Sequence, residues 1–161
     1  MSAKAVQTMK IKALFITLAA FLAILFSVPT PAGADMVDEI IYYTNKERVS
    51  RNLRPLKVDR RLSQAAQRRA KELASNFSHT RPNGRDWFTV CKEFRVSFSE
   101  ALENIAFNNH DRKVAARVFM SNWMKSPGHR DNILQSNMTR IGVGVYKQGK
   151  DNYAVQLFMV E

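Results

Sequence analysis

Three histidines, one cysteine and a few acids are the side chains best suited to chemistry in this chain of 161 residues. His79 sits in Ser78-His79-Thr80-Arg81-Pro82-Asn83-Gly84, at the end of a predicted helix. His129 sits in Ser126-Pro127-Gly128-His129-Arg130-Asp131-Asn132-Ile133, just past another. Glu103 is an acid between apolar neighbours, in Leu102-Glu103-Asn104-Ile105-Ala106. Two loop imidazoles and a half-buried carboxylate could make an open three-ligand metal site, because zinc takes such a set when its fourth position is left to water. The simpler reading is that each satisfies only a local hydrogen bond at a helix end. The 50 residues separating the histidines do not decide between these. There is no glycine-rich phosphate loop, no G-x-S-x-G elbow, no H-E-x-x-H helix and no paired cysteines. Cys91 has no local signature of a catalytic thiol and no partner for a bridge within the chain; it reads as a small buried apolar residue. Helix-turn-helix, zinc-finger and aromatic RNA-stacking patterns are missing as well.

The elements that must carry these groups follow from apolar spacing. Val37, Ile40, Ile41 and Thr44 predict an amphipathic helix over about 36–51, ending near Asn52. A short extended piece comes with Pro55, and Asp59 can cap a second helix whose stripe is Leu62, Ala65, Ala66, Ala70, Leu73 and Phe77. Its other face, with Arg60, Arg61, Arg68, Arg69 and Lys71, reads as solvated. Trp87, Val90, Cys91 and Phe94 suggest a third helix after the Pro82-Asn83-Gly84 turn. Asp111 opens a fourth, facing Val114, Val118, Phe119 and Trp123 inward until Ser126-Pro127-Gly128 stops it. Ile141, Val143 and Val145 then alternate as a strand, and Tyr153 to Val160 form a second beyond the Gly149-Lys150-Asp151-Asn152 turn. Helices first and an antiparallel hairpin last make the class α+β.

The first 34 residues carry a different pattern. Lys4, Lys10 and Lys12 precede 16 uncharged residues, Ala13 to Val28, and then Pro29 and Ala32-Gly33-Ala34. This is the layout of a secretory signal, so 1–34 is expected to be removed and 35–161 to be the domain. Sixteen helical residues span about 24 Å, short of the roughly 30 Å hydrocarbon core, which disfavours a retained anchor. The formal net charge of +11 and pI of about 10.2 invite a nucleic-acid reading. Three of those charges leave with the leader, and 22 basic against 14 acidic residues keep +8 on the domain.

Several segments together resemble the CAP superfamily, which comprises cysteine-rich secretory proteins, antigen 5 and pathogenesis-related proteins, and whose domain is also called SCP. They are Thr44-Asn45-Lys46-Glu47-Arg48, the helix from Leu62 to Ala74, Phe77-Ser78-His79-Thr80 and Glu103-Asn104-Ile105-Ala106. Trp123 through Leu134, containing Ser126-Pro127-Gly128-His129-Arg130, is the most specific, and Ile141-Gly142-Val143-Gly144-Val145 follows in order. The match is nearest to the bacterial branch. The resemblance implies a three-layer α-β-α sandwich with a central antiparallel sheet, and a concave cleft of two histidines with acidic partners. Carried across, the cleft residues are His79, Glu103 and His129, with Ser126 where eukaryotic relatives have a second glutamate. Leu102 replaces the usual glycine, and the family's cysteines are absent. His110 matches no site of the family and reads as a surface residue at a helix start.

The resemblance points to a secreted, non-enzymatic binding module, periplasmic if the host has an outer membrane. A divalent ion such as Zn²⁺ is expected on His79 and His129, with no organic cofactor. The other expected ligands are a lipid, a sterol or a cell-envelope component. No specific nucleic-acid partner is expected, nor a membrane span after cleavage, and the domain is expected to be a monomer. One alternative is a metal-dependent extracellular hydrolase using the same cleft, although no activated Ser or Cys nucleophile can be named. Another is adhesion to anionic cell-envelope polymer, membrane surface or DNA. Its basis is Arg48, Arg51, Arg54, Lys57, Arg60, Arg61, Arg68, Arg69 and Lys71, nine basic residues within 24.

Overall fold

The structure, a computed structural model, describes residues 35–160, so the expected leader lies outside the described residues. Asp35 opens the first helix, its carboxylate accepting the Met36 N–H at 2.6 Å. That helix, α1 (Met36–Val49), buries Met36, Ile40, Thr44 and Arg48, a stripe at steps of four. Arg48 at its end is fully buried yet satisfied: its guanidinium donates to the carbonyls of Arg54, Ile133, Gln135 and Met138. It ties two loops to the helix and is therefore not a surface charge.

After β1 (Lys57–Val58), the Asp59 carboxylate caps α2 (Arg60–Leu73) by accepting the Leu62 N–H at 2.8 Å. The expected stripe is buried from Leu62 to Leu73, with Arg69 in it, whereas Phe77 lies beyond the helix and is 47% exposed. The third helix is one short piece, α3 (Thr89–Glu93), burying Val90 and Cys91. A nine-residue strand, β2 (Glu100–Asn108), follows where no strand is expected from alternation. In α4 (Arg112–Lys125) the inward residues are Ala115, Ala116, Phe119, Met120 and Trp123; Val114 is exposed. Ser126-Pro127-Gly128 ends α4 but opens α5 (Pro127–Leu134), because proline is well suited to a first helical position. His129 therefore rides on a helix rather than a loop. Strands β3 (Arg140–Gln148) and β4 (Asp151–Val160) close the chain as the expected hairpin, turning at Gly149 with φ +61°.

The sheet order is β1-β3-β4-β2, antiparallel except that the two residues of β1 run parallel to β3. Alternation along β4 divides the core. Ala154 and Phe158 face one cluster with Ile40, Phe119, Trp123 and Ile133 of α1, α4 and α5. Val155, Leu157 and Met159 face the other, with Leu62, Ala66 and Leu73 of α2 and Val90 of α3. The result is the α-β-α sandwich, with β2 at one margin of the sheet. Among the described residues no helix is long and apolar enough to cross a membrane.

Candidate functional site

Both margin residues of β2 that matter here are adjacent in sequence, and strand alternation sends them to opposite layers. Glu103 turns toward α2. Its carboxylate is almost wholly buried and receives Arg69 Nε on Oε1 at 2.9 Å and His79 Nδ1 on Oε2 at 2.7 Å. Arg69 also donates to the Ser78 carbonyl at 2.8 Å and to Glu72 at 3.0 Å. The same guanidinium thus holds the acid and the backbone just before His79. The His79 carbonyl accepts the Trp87 N–H at 3.0 Å, fixing the loop from its other side.

Glu72 is itself clamped by Arg81, which reaches Glu93 and Thr89 as well. Burial works to raise the Glu72 carboxyl, but hydrogen bonds from Arg81 and Arg69 outweigh it and hold it below the usual range. The Arg81 guanidinium is pushed above its ordinary value, first by its hydrogen bond to Glu72. Arg69, expected on the solvated face, is fully buried at the centre of this network. Its cause is phase: three residues after Ala66 and four before Leu73, it falls within the buried stripe.

Asn104 turns the other way. Its amide nitrogen donates to the His129 carbonyl and to Gln156 Oε1, each at 3.0 Å, and its oxygen accepts Asn132 Nδ2 at 2.9 Å. Gln156 continues the string to the Thr44 hydroxyl at 2.8 Å, which donates to the Ile40 carbonyl. Four elements are joined by amides and one hydroxyl, and among the described residues no buried side-chain polar atom lacks a partner. Such a network specifies one arrangement because every member is satisfied.

The His79 ring and the His129 backbone are thus held to β2 from opposite layers. The His79 side chain is 56% exposed and tied only through Nδ1. His129 is held below its ordinary pKa, first by burial and then by the charge of His79. Among the described residues, no Ser, Thr or Cys side chain hydrogen-bonds to either ring, and no group of three or more His, Cys, Asp or Glu is arranged to hold a metal. Glu103 spends both oxygens on Arg69 and His79. A buried acid orienting one exposed imidazole beside a second one is the centre of the site.

The sequence profile of the cysteine-rich secretory protein (CAP) family matches residues 41–160. The chain belongs to the CAP family. Its CAP domain is 36% identical over 113 residues to the protein YkwD of Bacillus subtilis, covering 69% of this chain and 42% of that one. It is 32% identical, with a TM-score of 0.69, to the crystal structure of an extracellular protein containing a SCP domain from Bacillus anthracis, over 78% of this chain and 40% of that one. The fold is also shared with the crystal structure of NaASP2 with Zn²⁺, at 15% identity and TM-score 0.58, over 81% and 82% of the two chains. The chain spans less than half the length of the curated relatives it matches.

Two further residues of the CAP domain have clear surroundings. Ser126 caps α5 through its backbone, with no cap bond from its hydroxyl, three residues before His129. Cys91 is free and buried, its thiol pushed up to about 11, first by burial and then by the charge of Glu103. At pH 8 that leaves on the order of 10²-fold less thiolate than an ordinary cysteine has. Native protein is expected to react with Ellman's reagent only on unfolding in urea; prompt reaction of the folded form would contradict the buried assignment.

Proposed function

We propose that the domain is a non-enzymatic, extracellular binding module whose cleft takes a divalent ion such as Zn²⁺ on His79 and His129. The observation that carries this is the bond from His79 Nδ1 to Glu103 Oε2. With Nδ1–H donating to a carboxylate that Arg69 already holds, the ring is fixed in the tautomer whose Nε2 lone pair points outward. The donor set fits an ion with two imidazole ligands and with Glu103 orienting one of them. Water or an anion would complete the coordination. The bound ion would supply a Lewis-acidic centre. The crystal structure of NaASP2 with Zn²⁺ agrees with this reading. An apolar ligand would find Phe77 and Phe107 exposed, with ring centroids 5.2 Å apart and nearly perpendicular, one two residues before His79 and the other on the strand that carries Glu103. The expected secretion agrees with the extracellular nature of the relative from Bacillus anthracis.

Calorimetric titration with Zn²⁺ tests the site. His79→Ala and His129→Ala are each expected to abolish measurable binding, and Glu103→Gln to weaken it about 10–100-fold, as loss of a ligand's orienting partner does. Equal affinity in wild type and both histidine variants would refute the assignment.

A further inference from the structure

The nine-residue basic stretch looks different once folded. Arg48 and Arg69 are buried, and Arg51 and Arg68 pair with Glu47 and Glu72. Three of the remaining cations line two hollows that lie apart from the histidines. One, of about 470 Å³, is lined by Arg61, Arg95 and Arg140 with Ser97 and Ser99. The other, of about 580 Å³, is lined by Arg54, Lys57 and Arg140 with Ser136 and Asn137. Arg140 belongs to both, so the hollows adjoin. Among the described residues, Arg54, Lys57, Arg61 and Arg95 form no ion pair with an acid. Asp59, which lines the first hollow, is paired with Arg140 at 2.5 Å and accepts the Leu62 N–H, whereas Glu100 keeps its charge and accepts the Asn137 amide at 2.7 Å. Arg95 also has φ +54°, a left-handed conformation that arginine rarely takes. It is the residue just past the C-cap of α3, where a left-handed residue ends the helix and the Lys92 and Cys91 carbonyls accept the Arg95 and Val96 N–H groups.

We propose that these two hollows form one groove for a linear phosphodiester polymer without bases, such as a polyol phosphate. Four cations facing adjoining hollows repel one another, and a polyanion laid across Arg140 relieves that repulsion. Guanidinium forks suit phosphate oxygens, and the serine hydroxyls add donors for the linking polyol. A nucleic acid fits less well, since Phe98 is the only aromatic ring lining either hollow and base stacking needs exposed platforms. A bilayer is a broad surface and does not enter concavities of this size.

Fluorescence anisotropy of a labelled oligo(glycerol phosphate) with the full purified chain, titrated against salt, tests the groove. Oligothymidylate of equal charge and phosphatidylglycerol vesicles are the comparison probes. The paired variants Arg61→Gln with Arg95→Asn, and Arg54→Gln with Lys57→Gln, are each expected to weaken binding about tenfold. Each should also lower the log–log salt slope by about 1.4, given roughly 0.7 for each of the two phosphates no longer neutralised on a single strand. Asparagine keeps the left-handed backbone at position 95 accessible. Lys113→Gln with Arg117→Gln removes equal charge from exposed positions of α4 and should change affinity less than about twofold. The proposal is overturned if the oligomer shows no salt-sensitive binding, or if all three paired variants lose affinity equally. It is likewise overturned if oligothymidylate or vesicles bind as tightly as the oligomer.

Discussion

Replacing Arg69 with methionine is expected to cost about 3–5 kcal/mol, the usual consequence of removing one partner from a buried ion pair. The Arg69 side chain has no exposed surface, and neither, in effect, does Glu103 at 1%. Methionine fills similar space but donates nothing. Glu103 would keep only His79, and the Ser78 carbonyl would lose its guanidinium bond. Glu72 would suffer less, because Arg81 still holds both of its oxygens. Lysine should not rescue, since one ammonium cannot reach two carboxylates and a carbonyl in the planar geometry of the guanidinium. Adding Glu103→Leu to Arg69→Met should recover much of the loss, because a buried pair replaced by apolar groups is often near neutral. Urea unfolding at pH 7 measures each difference, provided the slope is unchanged. A loss below about 1 kcal/mol for Arg69→Met would mean that the network contributes little.

The pH dependence has a definite sign. Glu72 is held below its unfolded value of 4.5, so the unfolded chain takes up its proton first. Its contribution is complete above that value and is lost as pH falls through the folded one. Because Arg69 provides part of that depression, wild-type stability should decline more steeply below pH 4.5 than that of Arg69→Met.

Much of this architecture is legible from spacing alone. The stripes of α1 and α2 and the alternation of β3 are local patterns, and burial follows them. The strand β2 is not legible in that way. Its two faces hold Glu103 and Asn104, whose burial depends on partners 34 and 52 residues away, Arg69 and Gln156. Polar residues at such positions look like a loop until both partners are placed. Arg69 is the opposite case, because its phase in the α2 stripe was visible and its charge argued against it. The pairing with Glu103 resolves the conflict, since an arginine can be buried when a carboxylate and a carbonyl meet its donors. His79 and Glu103 were legible as family positions, but the bond between them is tertiary. The same holds for the basic stretch, where folding sends neighbouring arginines to the core, to ion pairs and to the rim of a hollow.

Gly144→Ala is expected to be destabilising by on the order of 3 kcal/mol, at the severe end of overpacking. A β-carbon there would lie well inside 3.0 Å of the carbonyl carbon and oxygen of Ala66 and of the Gln67 nitrogen. These are backbone atoms of α2, so no rotamer change can make room, and the helix must lift from β3. Gly142 meets the backbone of Leu62 and Ser63 in the same way, which shows that α2 lies directly on this strand over a full turn. Lifting α2 also draws Arg69, one turn after Ala66, away from Glu103, so binding at the proposed Zn²⁺ site should fall with stability. Gly128 is the control: its β-carbon would meet nothing within 4 Å, and alanine in α5 should stabilise by about 0.5–1 kcal/mol. The two glycines therefore differ in sign, and thermal unfolding should place Gly144→Ala roughly 12 °C below wild type at about 4 °C per kcal/mol. Ala66→Gly added to Gly144→Ala separates the causes. The colliding atoms belong to the Ala66 backbone and not to its methyl group, so removing that methyl should restore nothing; recovery of the melting temperature would show that α2 sits on the strand in some other way.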